Sequence, residues 1–594
     1  MKLKPLAVFL LVISCLAACT GAPAQDGNSP QVLTEKAGDS DGPTRPADPV
    51  HTPTAGVMTP TTKPESKPVT PVYPDFEGDV LVSERGELFS GAGACAFCHT
   101  NQRDAAGQDI AIDRRWSASI LANAGKDPYW LATVRSEVEL EPELREVVEQ
   151  KCATCHMPMA KVSAAAKGEP TLLLDEGFSS PNHPLRLLAL DGVSCNVCHQ
   201  MEAGNFGTSE SFSGGFEIDL SAPGGSRMSY GPYQVSRQLV NLMQGASGFI
   251  PQQGLHTSQS ELCGTCHNLV TPYVDADGQV VGEFPEQAIY SEWLNSSYKG
   301  KQGCMDCHMP AADGTVQLSI TGGPQRSPFS QHIFAGGNAY MLNILRAYGQ
   351  EIGVTTSSAA LAQAVQAAEA MIGTQTARVS LENMSITDGS LSGEVAIESL
   401  VGHKFPAGYP SRRAWLHITV LDGNGKILFE SGQVNPDGRI TGNANDEDAR
   451  RYEPHYATIS SPDQVQIYEA VMLNSDGEVT TTLLRAASYT KDNRLLPQGF
   501  DLARATDDTL VFGEAAQDDN FIPGSDRLSL QILLGEVSGV ITVKVELLYQ
   551  SIGYRWAQNL LSDQTPEAQT FGRYYNSVPN LPLVAGAAET SVRP

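Results

Sequence analysis

Five times this chain spells Cys-x-x-Cys-His, and nothing else in it restricts the fold as tightly. The runs are Cys95/Cys98/His99, Cys152/Cys155/His156, Cys195/Cys198/His199, Cys263/Cys266/His267 and Cys304/Cys307/His308. They use every cysteine after Cys19. At this cysteine and histidine content, one chance match is expected in ~0.5% of chains of this length, so five are not coincidence. Two cysteines three apart lie on one side of a helical turn. From there both sulfurs can bond the two vinyl groups of one heme, and the next residue offers its imidazole to the iron.

Other uses of the pattern fit worse. Zinc ribbons pair Cys-x-x-Cys units without requiring His after each one. Thioredoxin-like pairs occur once, within an α/β pattern not seen here. Five identical short spacings would make poor long-loop disulfide staples. The first cysteines are 57, 43, 68 and 41 residues apart, too little chain for separate cores. Five covalently bound hemes c therefore share one core, expected as a continuous chain of cofactors.

Seven histidines lie outside the motifs. His183 (PNHPLRL) precedes the third motif, His256 precedes the fourth and His332 (SQHIFAGGN) follows the fifth; each is a candidate second axial ligand. Met157, Met159 and Met309 follow motif histidines and are read as packing against porphyrin faces, with ligation as the alternative. His417 points away from Leu416 and Ile418 and is read as structural. His51 has no assigned role.

The organisation follows from composition along the chain. An apolar run, Leu6 to Ala18, after Lys2 and Lys4, has the form of a secretory signal (residues 1–18) and is too short to span a bilayer. It ends in Leu16-Ala17-Ala18-Cys19, which resembles the bacterial lipobox, so lipidation at Cys19 and a membrane anchor are expected, with Thr20 favouring the outer membrane. Residues 19–74 are rich in Pro, Thr, Gly and Ser and read as a disordered tether reaching about 40 Å. Residues 75–349 form the pentaheme segment, loop-rich with short helices such as Glu143 to Lys151. Residues 350–378 hold a linking helix, Ser357 to Ile372, with Leu361, Val365, Ala368 and Ile372 as its apolar stripe and Gly373 closing it. Period-two alternation then appears at Leu416, Ile418 and Val420 and at Ile541, Val543, Val545 and Leu547. It predicts an antiparallel β-sandwich over 379–550, leaving 551–594 as an unplaced extension. The fold class is thus α+β and multidomain. The acidic run Asn443, Asn445, Asp446, Glu447 and Asp448 lacks the order of a calcium loop and reads as solvated.

The strings WSASILANAGKDPYW, CATCHMPMA and WLNSSYKGKQGCMDCHMP resemble the cytochrome c-554-type multiheme superfamily. GHKFPAGYPSRRAWL and YEPHYATISSPDQVQIYE resemble a β-domain often attached to such cytochromes. That resemblance implies that His403 reaches across to a heme; His455 completes five distal candidates for five hemes. It also implies electron transfer through saturated irons at a bacterial cell envelope. The partners would be redox proteins or an extracellular acceptor, and an oligomer or filament is compatible with it. The alternative is an oxidoreductase with one open iron acting on a small nitrogen or sulfur compound; no motif here replaces its histidine with lysine, as some nitrite reductases do. A net charge of −27, to which heme propionates would add, excludes nucleic acid as a natural partner.

Overall fold

The alternating segments of the C-terminal half form two sheets because each buries one face against the same core. The computed structural model describes residue 71 and residues 73–594. The signal, Cys19, His51 and nearly all of the tether therefore lie outside the described residues. In one sheet, β1 (Ala377–Thr387) pairs with β2 (Ser390–Ser399), and β2 with Ser525–Leu533, all antiparallel; Thr458–Ile459 adds a short parallel edge. In the other, Arg413–Leu421 lies between Ile427–Ser431 and Ile541–Gln550, antiparallel to both. Leu391, Val395 and Ile397 from the first sheet share one core with Leu416, Ile418, Val543 and Val545 from the second. Each such side chain contributes about 1.5–3 kcal/mol by leaving water. His417 faces outward as expected, between Glu430 (3.0 Å) and Glu546 (3.4 Å) on the two flanking strands.

Three expectations change at the edges of elements. The linking helix runs Ser358–Gln375, capped by the Ser357 hydroxyl, with the expected stripe buried. It passes through Gly373 instead of stopping there, because packing of Ile372 outweighs the roughly 1 kcal/mol cost of an interior glycine. The sheet does not end at residue 550: Leu583–Val592 pairs with Ile541–Gln550. Between them, helices Tyr554–Leu561 and Pro566–Ser577 pack Ala557, Leu560, Phe571 and Tyr574 against Tyr129, Tyr340 and Ile344 of the heme-motif half. Arg135 ties the same contact, with Asp175 at 2.6 Å and Glu567 at 3.0 Å. Residues 73–594 accordingly cluster as one compact unit. Finally, Asp446 is no solvated acid. It is buried, pairs with Arg413 at 2.7 Å, and accepts from the Ile440 backbone N–H.

A second buried ion network joins the halves beside His403. Lys404 Nζ meets Asp492 at 2.7 Å, Arg494 meets Asp492 at 2.8 Å and Glu292 at 3.0 Å, and Glu292 accepts from the Lys404 backbone N–H. Burial raises the Asp492 carboxyl, but Arg494 and Lys404 outweigh it and hold it well below the usual range. Asp492→Ala would leave two cations buried without their shared counter-ion. The expected cost is about 3–5 kcal/mol, read as a lower denaturation midpoint in urea than the unsubstituted holoprotein; an unchanged midpoint would contradict the network's role.

Candidate functional site

Each motif occupies a short helical segment that leaves its histidine at or just beyond the C-terminal end. Cys95 lies in Ala92–Ala96, and the others in Arg145–His156, Cys195–Cys198, Ser260–His267 and Cys304–His308. Four of the five motif imidazoles are fixed through Nδ1 to a backbone carbonyl. His99 meets Leu318 (3.2 Å), His156 meets Ala124 (3.2 Å), His199 meets Tyr230 (2.5 Å) and His308 meets Ala335 (2.6 Å). A carbonyl accepts, so Nδ1 carries the proton and Nε2 keeps its lone pair, the arrangement that orients a metal-binding histidine. Burial pushes His156 and His267 down to about 4, which keeps them in the neutral form a metal needs. Trp130 stacks on His156, centroids 4.3 Å apart and 2° from parallel. It stands on the helix Pro128–Leu140, whose start is set by the Asp127 cap and Pro128 at its first position.

All ten cysteines and five histidines of the motifs line one continuous cavity of about 1280 Å³, larger than the ~300–1,000 Å³ of a single-ligand pocket. Its wall is mostly apolar. The helix Arg237–Ser247 has no buried residue, and Leu239, Leu242, Met243 and Ala246 on it face the cavity. An amphipathic helix whose apolar residues line such a cavity suits a large apolar ligand. None of the ten cysteines forms a disulfide, and those of different motifs meet: Cys95 with Cys195, Cys155 with Cys266, and Cys263 with Cys304. Cys198 lies near Cys263 and Cys266. The fourth motif therefore adjoins the second, third and fifth, and the first adjoins the third. Sequence spacing does not say which motifs fold side by side.

Two of the expected distal histidines enter this cavity. His332 faces His199 with ring centroids 6.5 Å apart and 21° between planes, and His403 faces His308 at 6.3 Å and 16°. This is not stacking, as comparison with the 4.3 Å Trp130 pair shows. A metal–imidazole bond of about 2.0 Å on each side, with roughly 1.1 Å from nitrogen to ring centre, separates two axial rings by about 6.2 Å. His332 and His403 also spend Nδ1 on carbonyls, of Ser330 (3.1 Å) and Lys404 (2.9 Å), leaving Nε2 for a metal. The cavity, its apolar wall, the paired thiols and these imidazole pairs fit heme c.

The other three candidates are not brought to the wall. His183 accepts from the Leu185 backbone N–H through Nδ1 (3.1 Å), which puts its proton on Nε2. His256 holds the Met201 carbonyl through Nε2 (3.0 Å). His455 is buried inside the β-half; its Nδ1 accepts from the Gln466 and Asn493 amides at 2.8 and 3.0 Å, and its Nε2 faces Asp518 at 3.3 Å. Among the described residues no second imidazole faces His99, His156 or His267 at the 6.3–6.5 Å spacing. Met157 and Met159 pack in the protein core, while Met309 lines the cavity. Sequence reasoning passed over Tyr409 and Arg412, which also line it; both lie inside GHKFPAGYPSRRAWL, where only His403 drew notice.

No protein-family model matches the chain, and no curated protein matches it. Among solved structures it is similar to a penta-heme cytochrome c552 from Thermochromatium tepidum, 17% identical, over 84% of this chain and 97% of that one, with a TM-score of 0.45.

Removing His332 or His403 should each convert one low-spin iron of the holoprotein to high spin, visible by EPR of the oxidised state. His455→Ala should leave the low-spin count unchanged. A new high-spin signal in the His455 variant would contradict the placement of that ring.

Proposed function

We propose that this chain is an exported multiheme c-type cytochrome that relays electrons through five covalently bound hemes at a bacterial cell envelope. The observation that carries the reading is the facing of two imidazole pairs, His199–His332 and His308–His403, across a cavity that all five motifs line. Bound heme c supplies a one-electron iron couple and a broad aromatic edge. The chain does the rest. The cysteines attach each group covalently, so a small core holds large cofactors. The Nδ1–carbonyl bonds fix the axial rings, which keeps geometry constant between oxidation states. Two imidazoles on one iron leave no position for a substrate, and that favours transfer over catalysis. Contacts between thiols of different motifs keep the attachment points adjacent, as short-range electron hopping requires.

The two-sheet body reads as an antiparallel sandwich that closes one side of the cavity and donates His403. The N-terminal segment reads as a lipid-anchored tether through Cys19, with a redox protein or an extracellular acceptor as partner; assembly of copies into an oligomer or filament is consistent with this role.

A second reading has its own observation. With no second imidazole facing His99, His156 or His267, one of those irons is a candidate open site, and the protein would then be an oxidoreductase on a small nitrogen or sulfur compound. Heme quantitation beside low-temperature EPR separates the two. Five hemes, with at least the His199 and His308 irons low-spin, full reduction by dithionite and no turnover of nitrite or hydroxylamine, is the expected outcome. A high-spin signal near one heme's worth, with turnover of either compound, would establish the second reading in its place. Fewer than five hemes per chain would refute the cofactor count.

A further inference from the structure

Three arginines line the cavity: Arg85, Arg326 and Arg412. In a chain with 67 acidic and 40 basic residues, a guanidinium normally finds a carboxylate, and their neighbours do. Arg413 pairs with Asp446 at 2.7 Å, and Arg494 with Asp492 at 2.8 Å. The three cavity arginines have no carboxylate of this chain within ion-pairing distance among the described residues. Their hydrogen bonds go to backbone carbonyls, Arg85 to Ala246, Arg326 to Gln234 and Arg412 to Ala407, and Arg326 also lies over the Tyr233 ring. Arg326 Nε is buried with no partner.

Arg412 has the most developed surroundings. It belongs to the loop that carries His403, and its charge acts on His267 of the fourth motif. Tyr409 from the same loop and Tyr129 from the helix Pro128–Leu140 stand edge to face, centroids 6.3 Å apart. Both phenol oxygens are buried and neither makes a hydrogen bond of good geometry, although Ser411 and Tyr409 stand close enough to the Tyr129 hydroxyl to interact with it weakly. A partly buried cation and two phenols without good partners cost free energy unless an anion meets them, even on a wall that also carries Glu137 and Glu286. The occupant that the cavity already calls for carries such anions, since each heme bears carboxylate side chains.

We propose that Arg412, with the phenols of Tyr129 and Tyr409, binds a propionate carboxylate of a heme held by an adjoining motif, and that Arg85 and Arg326 do the same elsewhere on the wall. Planar guanidinium–carboxylate pairing is the geometry arginine serves best. A guanidinium facing a propionate offsets negative charge near the iron and so favours the reduced state. Arg412 would thus be a cofactor-binding residue that also raises the potential of one heme among five.

The inference rests on the multiheme reading, and a heme count on the purified protein separates the two: without five hemes the cofactor reading fails, and the arginine question does not arise. With five hemes in place, Arg412→Gln should keep all of them, because attachment is through thioethers. A spectroelectrochemical titration should show one component moved to lower potential. Arg412→Lys should recover part of that shift, and Tyr409→Phe, a milder change should Arg412→Gln fold poorly, should move the same component downward by less. Unaltered potentials in Arg412→Gln and Tyr409→Phe would overturn the proposal. So would a nitrite-induced change in the Soret band of the unsubstituted holoprotein that Arg412→Gln abolishes, since the arginine would then serve an exogenous anion.

Discussion

An imidazole can bind a metal through one nitrogen only while the other carries the proton, and the protein must decide which is which. Here the decision is made by backbone carbonyls. Leu318, Ala124, Tyr230, Ala335, Ser330 and Lys404 each take the Nδ1 proton of a different histidine. A carbonyl cannot donate, so the tautomer follows from main-chain geometry and not from the pH of the surroundings. Four of these carbonyls lie 27 to 219 residues from their histidines, while those of Ser330 and Lys404 lie within two residues of theirs. Leu318 and His99, for example, are 219 residues apart. Setting the tautomer of one ring therefore depends on the fold of the whole motif-bearing half, which explains why loops with little regular structure are held so closely in place.

The same half lacks a complete core of its own. Its main cluster joins Val134, Val148, Met157, Met159 and Phe178 and borrows Leu484 from the β-half, yet the helix Arg237–Ser247 and the residues around the motif cysteines face the cavity. Apolar surface on that scale is stable only when covered. Were hemes attached as proposed, porphyrins would take the place that large side chains fill in other cores, and attachment and folding would be coupled.

The sequence announced the chemistry more fully than the architecture. Cys-x-x-Cys-His is a local pattern whose meaning lies within five residues, and the alternation of Ile541, Val543, Val545 and Leu547 declares a strand within seven. Distal ligation is a long-range matter, and there the outcome was divided. His332 and His403 meet their partners. His183 and His455 resemble them in local context, but their Nδ1 atoms accept hydrogen bonds from fixed donors. Whether a ring nitrogen meets an N–H or a C=O depends on the segment folded against it, and no nearby residue reveals that. The strand Leu583–Val592 was missed for a related reason. Its run LVAGAAETSV carries small and polar residues, and what makes it a strand is the waiting edge of Ile541–Gln550.

The loop from Gly402 to Arg413 shows why the β-half is not an appendage. Within a few residues it presents His403 to His308, places Tyr409 and Arg412 on the cavity wall, and enters the sheet at Arg413. Its base is held by Lys404, bonded to Asp492 and, through the backbone, to Glu292 on the helix Ile289–Leu294 of the motif-bearing half. A ligand on a free loop would cost conformational entropy each time it bound. Here that cost is met during folding, by a sheet whose core is independent of the cofactors. The sheets thus supply the rigidity that the motif-bearing half, with its interior given over to the cavity, cannot supply for itself.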